Sequence, residues 1–167
     1  LKQLGVDLAD APTHLSAAQR DVRNRLRARA RQLGDARDAG TRQQEVGRLI
    51  AECAYEHWHR MLFARFLAAN DVLMHPSGVP VSLEECEELA ASEGAAHGWE
   101  LAGRYAARML PQIFRPDEPV LQIMLPPERQ KALEKLLSDI HPDTFLSDDA
   151  LGWVYQFWQA KRKDEVN

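Results

Sequence analysis

Arg20, Arg23, Arg27 and Arg31 recur at spacings of three and four, which on a helix sets them along one side. A guanidinium is a planar fork of several donors, well matched to phosphate oxygens. The row therefore reads in two ways: as the solvated face of an amphipathic helix, or as a set of phosphate contacts along a duplex. Residues 16–48 hold nine arginines against four acidic residues, whereas 82–100 hold six glutamates and no Lys or Arg. The net charge of the whole chain is −4, which argues against a nucleic-acid binder over its entire surface. The polarisation leaves a narrower expectation, that the four arginines make weak, sequence-independent contacts with DNA.

Other chemistry-bearing residues read as structure. In Glu56-His57-Trp58-His59 the two histidines are two apart, about 200° from each other around a helix, so they cannot share one ion. His57 falls in an apolar stripe and reads as a core residue. Asp148-Asp149 precedes a helical pattern and reads as a helix start, where carboxylates oppose the positive end of the helix dipole. Cys53 and Cys86 lack metal-ligand spacing and read as free thiols of a reduced, cytoplasmic protein. The residues supply no catalytic, cofactor-binding or metal-binding set.

The elements that must carry these residues are helical. Leu1 to His14 has weak periodicity and reads as a flexible lead-in, leaving 15–167 as one helical domain. Ser16 with Gln19 forms a capping-box pair that opens a helix bearing Val22, Leu26, Ala30 and Leu33, with Gly34 as its stop. Thr41 with Gln44 repeats the pattern and predicts the longest helix, to about Ala69, with Asn70 as a left-handed terminator. From Tyr55 that helix is apolar all round, the mark of a buried central element. Ser82 with Glu85 opens an acidic helix to about Gly94, and Trp99 to Met109 forms another, ended by Pro111. Val120 to Leu125 reads as a short strand or an extended segment, Pro127 to Ile140 as a helix, and Ser147 or Asp148 as the cap of a last one. The expected fold is all-α, an irregular bundle of about six helices with at most a small strand pair.

The last helix is the most particular. Trp153, Phe157 and Ala160 follow i, i+4, i+7, while Leu151, Val154, Tyr155 and Trp158 form a second stripe. Two apolar faces require two partners. Either the helix is wholly buried within this domain, or the Trp153, Phe157, Ala160 face docks a domain that follows. The run Asp148-Asp149-Ala150-Leu151-Gly152-Trp153-Val154-Tyr155-Gln156-Phe157-Trp158-Gln159, with Lys161-Arg162-Lys163-Asp164-Glu165 after it, resembles the region ahead of the catalytic domain in large DNA adenine methyltransferases. These are the PglX-type methylases of BREX phage defence and related single-chain restriction-modification enzymes. Tyr55 through Trp58, the Arg65-Phe66 pair and Asn70-Asp71 are similar to a helix near the N-terminus of the same proteins.

The resemblance spans roughly residues 45–167. It implies the N-terminal helical region of a DNA-modifying enzyme that uses S-adenosylmethionine, with its own downstream methyltransferase domain, DNA and possible partner subunits as partners. The chemistry lies elsewhere. Amine methylation needs an Asn/Asp-Pro-Pro-aromatic loop to hold a flipped adenine, and the one Pro-Pro pair here is Leu125-Pro126-Pro127-Glu128. A cofactor needs a glycine turn between strand and helix, while Gly94, Gly98 and Gly103 lie in helical context. No acidic-x-Lys triplet follows Asp117, which disfavours a fused metal-dependent nuclease. The expectation is that the chain neither binds S-adenosylmethionine nor methylates DNA by itself. Leu1 in place of Met and the polar run 161–167 read as ends cut from a longer protein, without a signal peptide or an apolar run of membrane-spanning length. The alternative from another class is a free-standing helical interaction module or regulator.

Overall fold

The computed structural model describes residues 1–112, 114–115, 117–146, 149 and 152. Its described residues form five α-helices: α1 (Ala17–Gln32), α2 (Gly47–Ala69), α3 (Leu83–Ala90), α4 (Gly98–Met109) and α5 (Pro127–Ser138). Three 3-10 turns accompany them: Lys2–Leu4 before α1, Pro119–Gln122 between α4 and α5, and Pro142–Phe145 after α5. Among the described residues, β pairing is limited to single antiparallel bridges, Arg37 with Gln44 and Met74 with Pro80. The fold is thus mainly helical, as expected. The last helix, expected after Ser147, lies outside the described residues.

The chain divides into two compact units. Leu1–Trp58 with Arg115–Leu125 forms one, and His59–Phe114 with Pro126–Asn167 the other. The dividing point falls inside α2.

In the first unit Val6, Leu26, Ala30, Leu49, Cys53 and Val120 form the core. Val6 is completely buried, so residues 1–14 are a packed part of this unit and not a loose lead-in. The capping box at the start of α1 is present, with Ser16 Oγ accepting from Gln19 N at 3.2 Å and Gln19 Oε1 from Ser16 N at 2.9 Å. The expected box at Thr41 is not. Gln44 is buried and its amide donates to the carbonyls of Asp35, Ala36 and Glu45 at 3.0–3.1 Å, so it cannot reach back to Thr41. Thr41 instead closes a tight turn on Asp38, its hydroxyl 2.8 Å from Asp38 Oδ1. The start of α2 is satisfied from a distance: buried Asp35 accepts from Arg48 N and Leu49 N, both at 2.9 Å. That carboxylate satisfies two amide groups left open at a helix start. Val120 sits in a 3-10 turn, neither strand nor extended segment, and is buried.

In the second unit Phe63, Leu67, Leu73, Val81, Cys86, Leu101, Tyr105 and Phe114 are among the core residues. Four consecutive α2 positions, Met61 to Ala64, are buried, matching a helix apolar on all sides. α3 opens with the expected Ser82/Glu85 box and packs closely on α4. Glu87 Oε2 accepts from Gly98 N at 2.5 Å, so α3 caps its neighbour. A Cβ at Gly98 would lie 2.6 Å from Glu87 N, and only glycine permits this approach. α4 ends at Met109, two residues before Pro111.

Candidate nucleic-acid interface

α1 does not present its four arginines to solvent as a row. Arg20 and Arg31 are exposed, while Arg23 and Arg27 are buried with Leu26 and Ala30. Main-chain oxygens take up their donors. Arg23 Nε donates to Gly5 O at 3.0 Å and its Nη2 to Leu8 O at 2.7 Å. Arg27 Nη1 donates to Val6 O at 2.7 Å and also to Leu8 O, and its Nη2 donates to Arg42 O at 2.9 Å. Two of the four expected DNA-contacting residues are therefore a clamp on the N-terminal segment.

The physical reason lies in the spacing itself. Positions 23, 26, 27 and 30 form an i, i+3, i+4, i+7 stripe, the geometry of a buried helix face. An arginine on such a face stays buried when carbonyls accept its hydrogen bonds.

The remaining basic groups differ in how free they are. Arg25 pairs with Asp21 at 3.0 Å and reaches Gln122 Oε1 at 2.9 Å. Arg29 forms an ion pair with Glu52 that raises it above its ordinary value. Arg42 holds Asp10 at 3.0 Å, and Arg48 donates to Leu33 O at 2.9 Å. Among the described residues Arg31 has only a long contact, 3.5 Å, to Gln44 Oε1. Burial pushes Arg27 below its ordinary value, and the charges of Arg23, Arg37 and Arg31 push it further. Exposed Arg31 and Arg37 thus add to one positive region around Arg27. Arg37 falls outside the four-residue row because it follows the helix in a loop and has no place on a helical wheel.

The other expected site, Trp153, Phe157 and Ala160, lies outside the described residues. The segment just before it is held firmly. Arg65 Nη2 donates to Ile140 O at 3.2 Å and its guanidinium lies 5.9 Å from the centre of the Phe145 ring. Asn70 Nδ2 donates to Phe145 O at 3.0 Å and to Phe66 O at 2.9 Å. The left-handed residue expected at Asn70 is Asp71, at φ 55°, which leaves the Asn70 amide free to bridge.

Among the described residues no group of three or more His, Cys, Asp or Glu side chains could hold a metal ion, and no helix is long and apolar enough to cross a membrane. His59 lies beside the rings of Phe63 and Phe114, at 6.4 and 5.9 Å, and burial lowers its pKa. A scan of protein-family models and searches of curated proteins and solved structures find no match to this chain.

Proposed function

We propose that this chain is the N-terminal helical region of a DNA adenine methyltransferase of the BREX or restriction-modification type. In that role it supports the catalytic domain and helps engage DNA or a partner subunit, and the intact enzyme uses S-adenosylmethionine. The observation that carries the reading is the bridge from Arg65 and Asn70 to residues 140–145. The first methylase-like block, Tyr55 to Asp71, thereby grips the segment leading into the second, Asp148 to Gln159. The Arg and Asn of the first block thus have a physical task, holding residues 140–145. The exposed Arg20, Arg31 and Arg37 would add sequence-independent attraction to phosphates.

The test begins with the coding frame beyond Asn167. An Asn-Pro-Pro-aromatic loop downstream, together with methyl transfer from S-adenosylmethionine to duplex adenine by the intact protein, is the expected result. An immediate stop codon would overturn the proposal and leave a free-standing interaction module.

A further inference from the structure

Ser77, His75 and Glu93 are joined by a line of hydrogen bonds within the second unit. Ser77 Oγ lies 2.7 Å from His75 Nδ1, and His75 Nε2 lies 3.1 Å from Glu93 Oε1. A third contact fixes the roles of the two ring nitrogens. The main-chain N–H of Ser77, which can only donate, meets Nδ1 at 3.1 Å. Nδ1 is therefore the acceptor, and Nε2 carries the proton directed at the carboxylate. The Ser77 hydroxyl donates to the same Nδ1 lone pair.

Local sequence holds this order. His75 to Gly78 closes a turn, with Gly78 N donating to His75 O at 2.8 Å and His75 N donating to Val79 O at 2.9 Å. Pro76 restricts φ within the turn, and Gly78 takes φ 85°, where a side chain would be strained. The His75 ring meets the ring of buried Tyr105 edge to face at 5.5 Å, so the imidazole rests on the core. Glu93 is anchored through its main chain, because Arg104 donates to Glu93 O at 3.3 Å and to Gly94 O at 3.1 Å. Ser77 itself is exposed and open to approach.

We propose that Ser77 is a nucleophile activated by His75, with Glu93 orienting the ring, and that it hydrolyses aryl esters of small carboxylic acids. A hydroxyl within hydrogen-bond reach of a base that a third group orients is the arrangement this chemistry needs, whatever the order of the residues in the chain. Ser77 Oγ bonds to the ester carbon as its proton passes to Nδ1, and Glu93 stabilises the imidazolium. Once protonated, Nδ1 no longer accepts from the Ser77 N–H, which is released as a donor to the oxyanion as that charge develops. Collapse breaks the bond to the aryloxide, which leaves with the electron pair and takes the proton from Nδ1. Water then attacks the acyl carbon, gives a proton to His75 and expels Ser77 Oγ, which recovers that proton. Ester and water become acid and phenol. A single amide donor stabilises the oxyanion modestly, which confines the substrate to esters whose leaving group is already stable as an anion. This site is independent of the arginines of α1 and of the methylase reading.

The test uses the full chain with p-nitrophenyl acetate, following p-nitrophenolate release and mapping acetyl groups by peptide mass spectrometry. Turnover with transient acetylation of Ser77 is expected. Ser77→Ala retains the main-chain N–H that holds the ring and removes only an exposed hydroxyl, so it should fold as wild type does and abolish turnover. His75→Gln should lower the rate about 100-fold or more. Glu93→Gln should lower kcat about tenfold or more with KM unchanged, a split that a merely structural role would not produce. Equal turnover by wild type and Ser77→Ala, or acetyl groups on lysines alone, would overturn the proposal. An unchanged kcat in Glu93→Gln would overturn it as well.

Discussion

Asn70 and Phe145 are 75 residues apart in the chain and joined by a 3.0 Å hydrogen bond from the Asn70 amide to the Phe145 carbonyl. The same amide satisfies Phe66 O at the end of α2, so one side chain closes a helix and fixes a distant turn. Replacing Asn70 with Ala leaves both carbonyls without this donor and should cost about 1–2 kcal/mol. Urea unfolding measures it, and an unchanged midpoint would mean that solvent already serves those oxygens.

The arginines of α1 should separate into two classes. Arg27→Ala removes a buried cation that binds the carbonyls of Val6, Leu8 and Arg42, and should destabilise by about 2–4 kcal/mol. Arg20→Ala and Arg31→Ala alter exposed positions and should stay within about 0.5 kcal/mol of wild type. Similar destabilisation by all three substitutions would contradict the burial pattern.

The proposed DNA role is tested most directly by changing Arg20 and Arg31 together in the intact protein. Removing one phosphate-binding charge lowers the log–log salt slope by about 0.9, so the pair should lower it by about two. Specific and random duplexes should respond alike, since such charges do not read bases. An unchanged slope would return both residues to a solvated surface.

Legibility in the sequence follows locality. The boxes Ser16/Gln19 and Ser82/Glu85 close within one turn of chain, so their residues suffice to identify them. Thr41/Gln44 has the same letters, but Gln44 is claimed by carbonyls at 35, 36 and 45. That competition depends on a folded loop. The cap that does serve α2, Asp35, sits 13 residues before Arg48 and resembles no helix-start pattern. The candidate site is half legible for a related reason. The stripe 23, 26, 27, 30 is visible, yet its two charges point to exposure, because the acceptors of Arg23 and Arg27 lie in a segment with no periodicity.

Both thiols should be inert in the native protein. Burial pushes Cys53 and Cys86 up to about 11, and the thiolate is the reactive form. A thiol reagent at neutral pH should label neither within the time that it labels both in denaturant. Rapid native labelling would show that one core opens easily.

Two groups should shape the pH profile in opposite directions. Burial, with Glu52 and Glu118 nearby, raises the Glu56 carboxyl, so the folded chain holds this proton more tightly than the unfolded one. Stability from this source falls as pH climbs above the ordinary carboxylate value of about 4.3. His59 is lowered by burial, so its contribution is lost as pH falls below about 6.5. Glu56→Gln should gain on wild type towards neutral pH, and His59→Gln should flatten the acid side. Thermal melts from about pH 4 to 8 that run parallel for all three proteins would refute both assignments.

The clamp of α1 on the N-terminal segment also distributes evolutionary constraint unevenly. Its acceptors are the carbonyls of Gly5, Val6, Leu8 and Arg42, and a carbonyl remains whatever side chain its residue carries. Leu8, whose side chain is exposed, is free to drift in a lineage without loosening the clamp. Arg23 and Arg27 have no such freedom, because lysine lacks the fork that spans several oxygens at once. In homologous chains the opening residues should therefore diverge while the two guanidiniums persist, and that persistence would record a mechanical duty rather than a ligand.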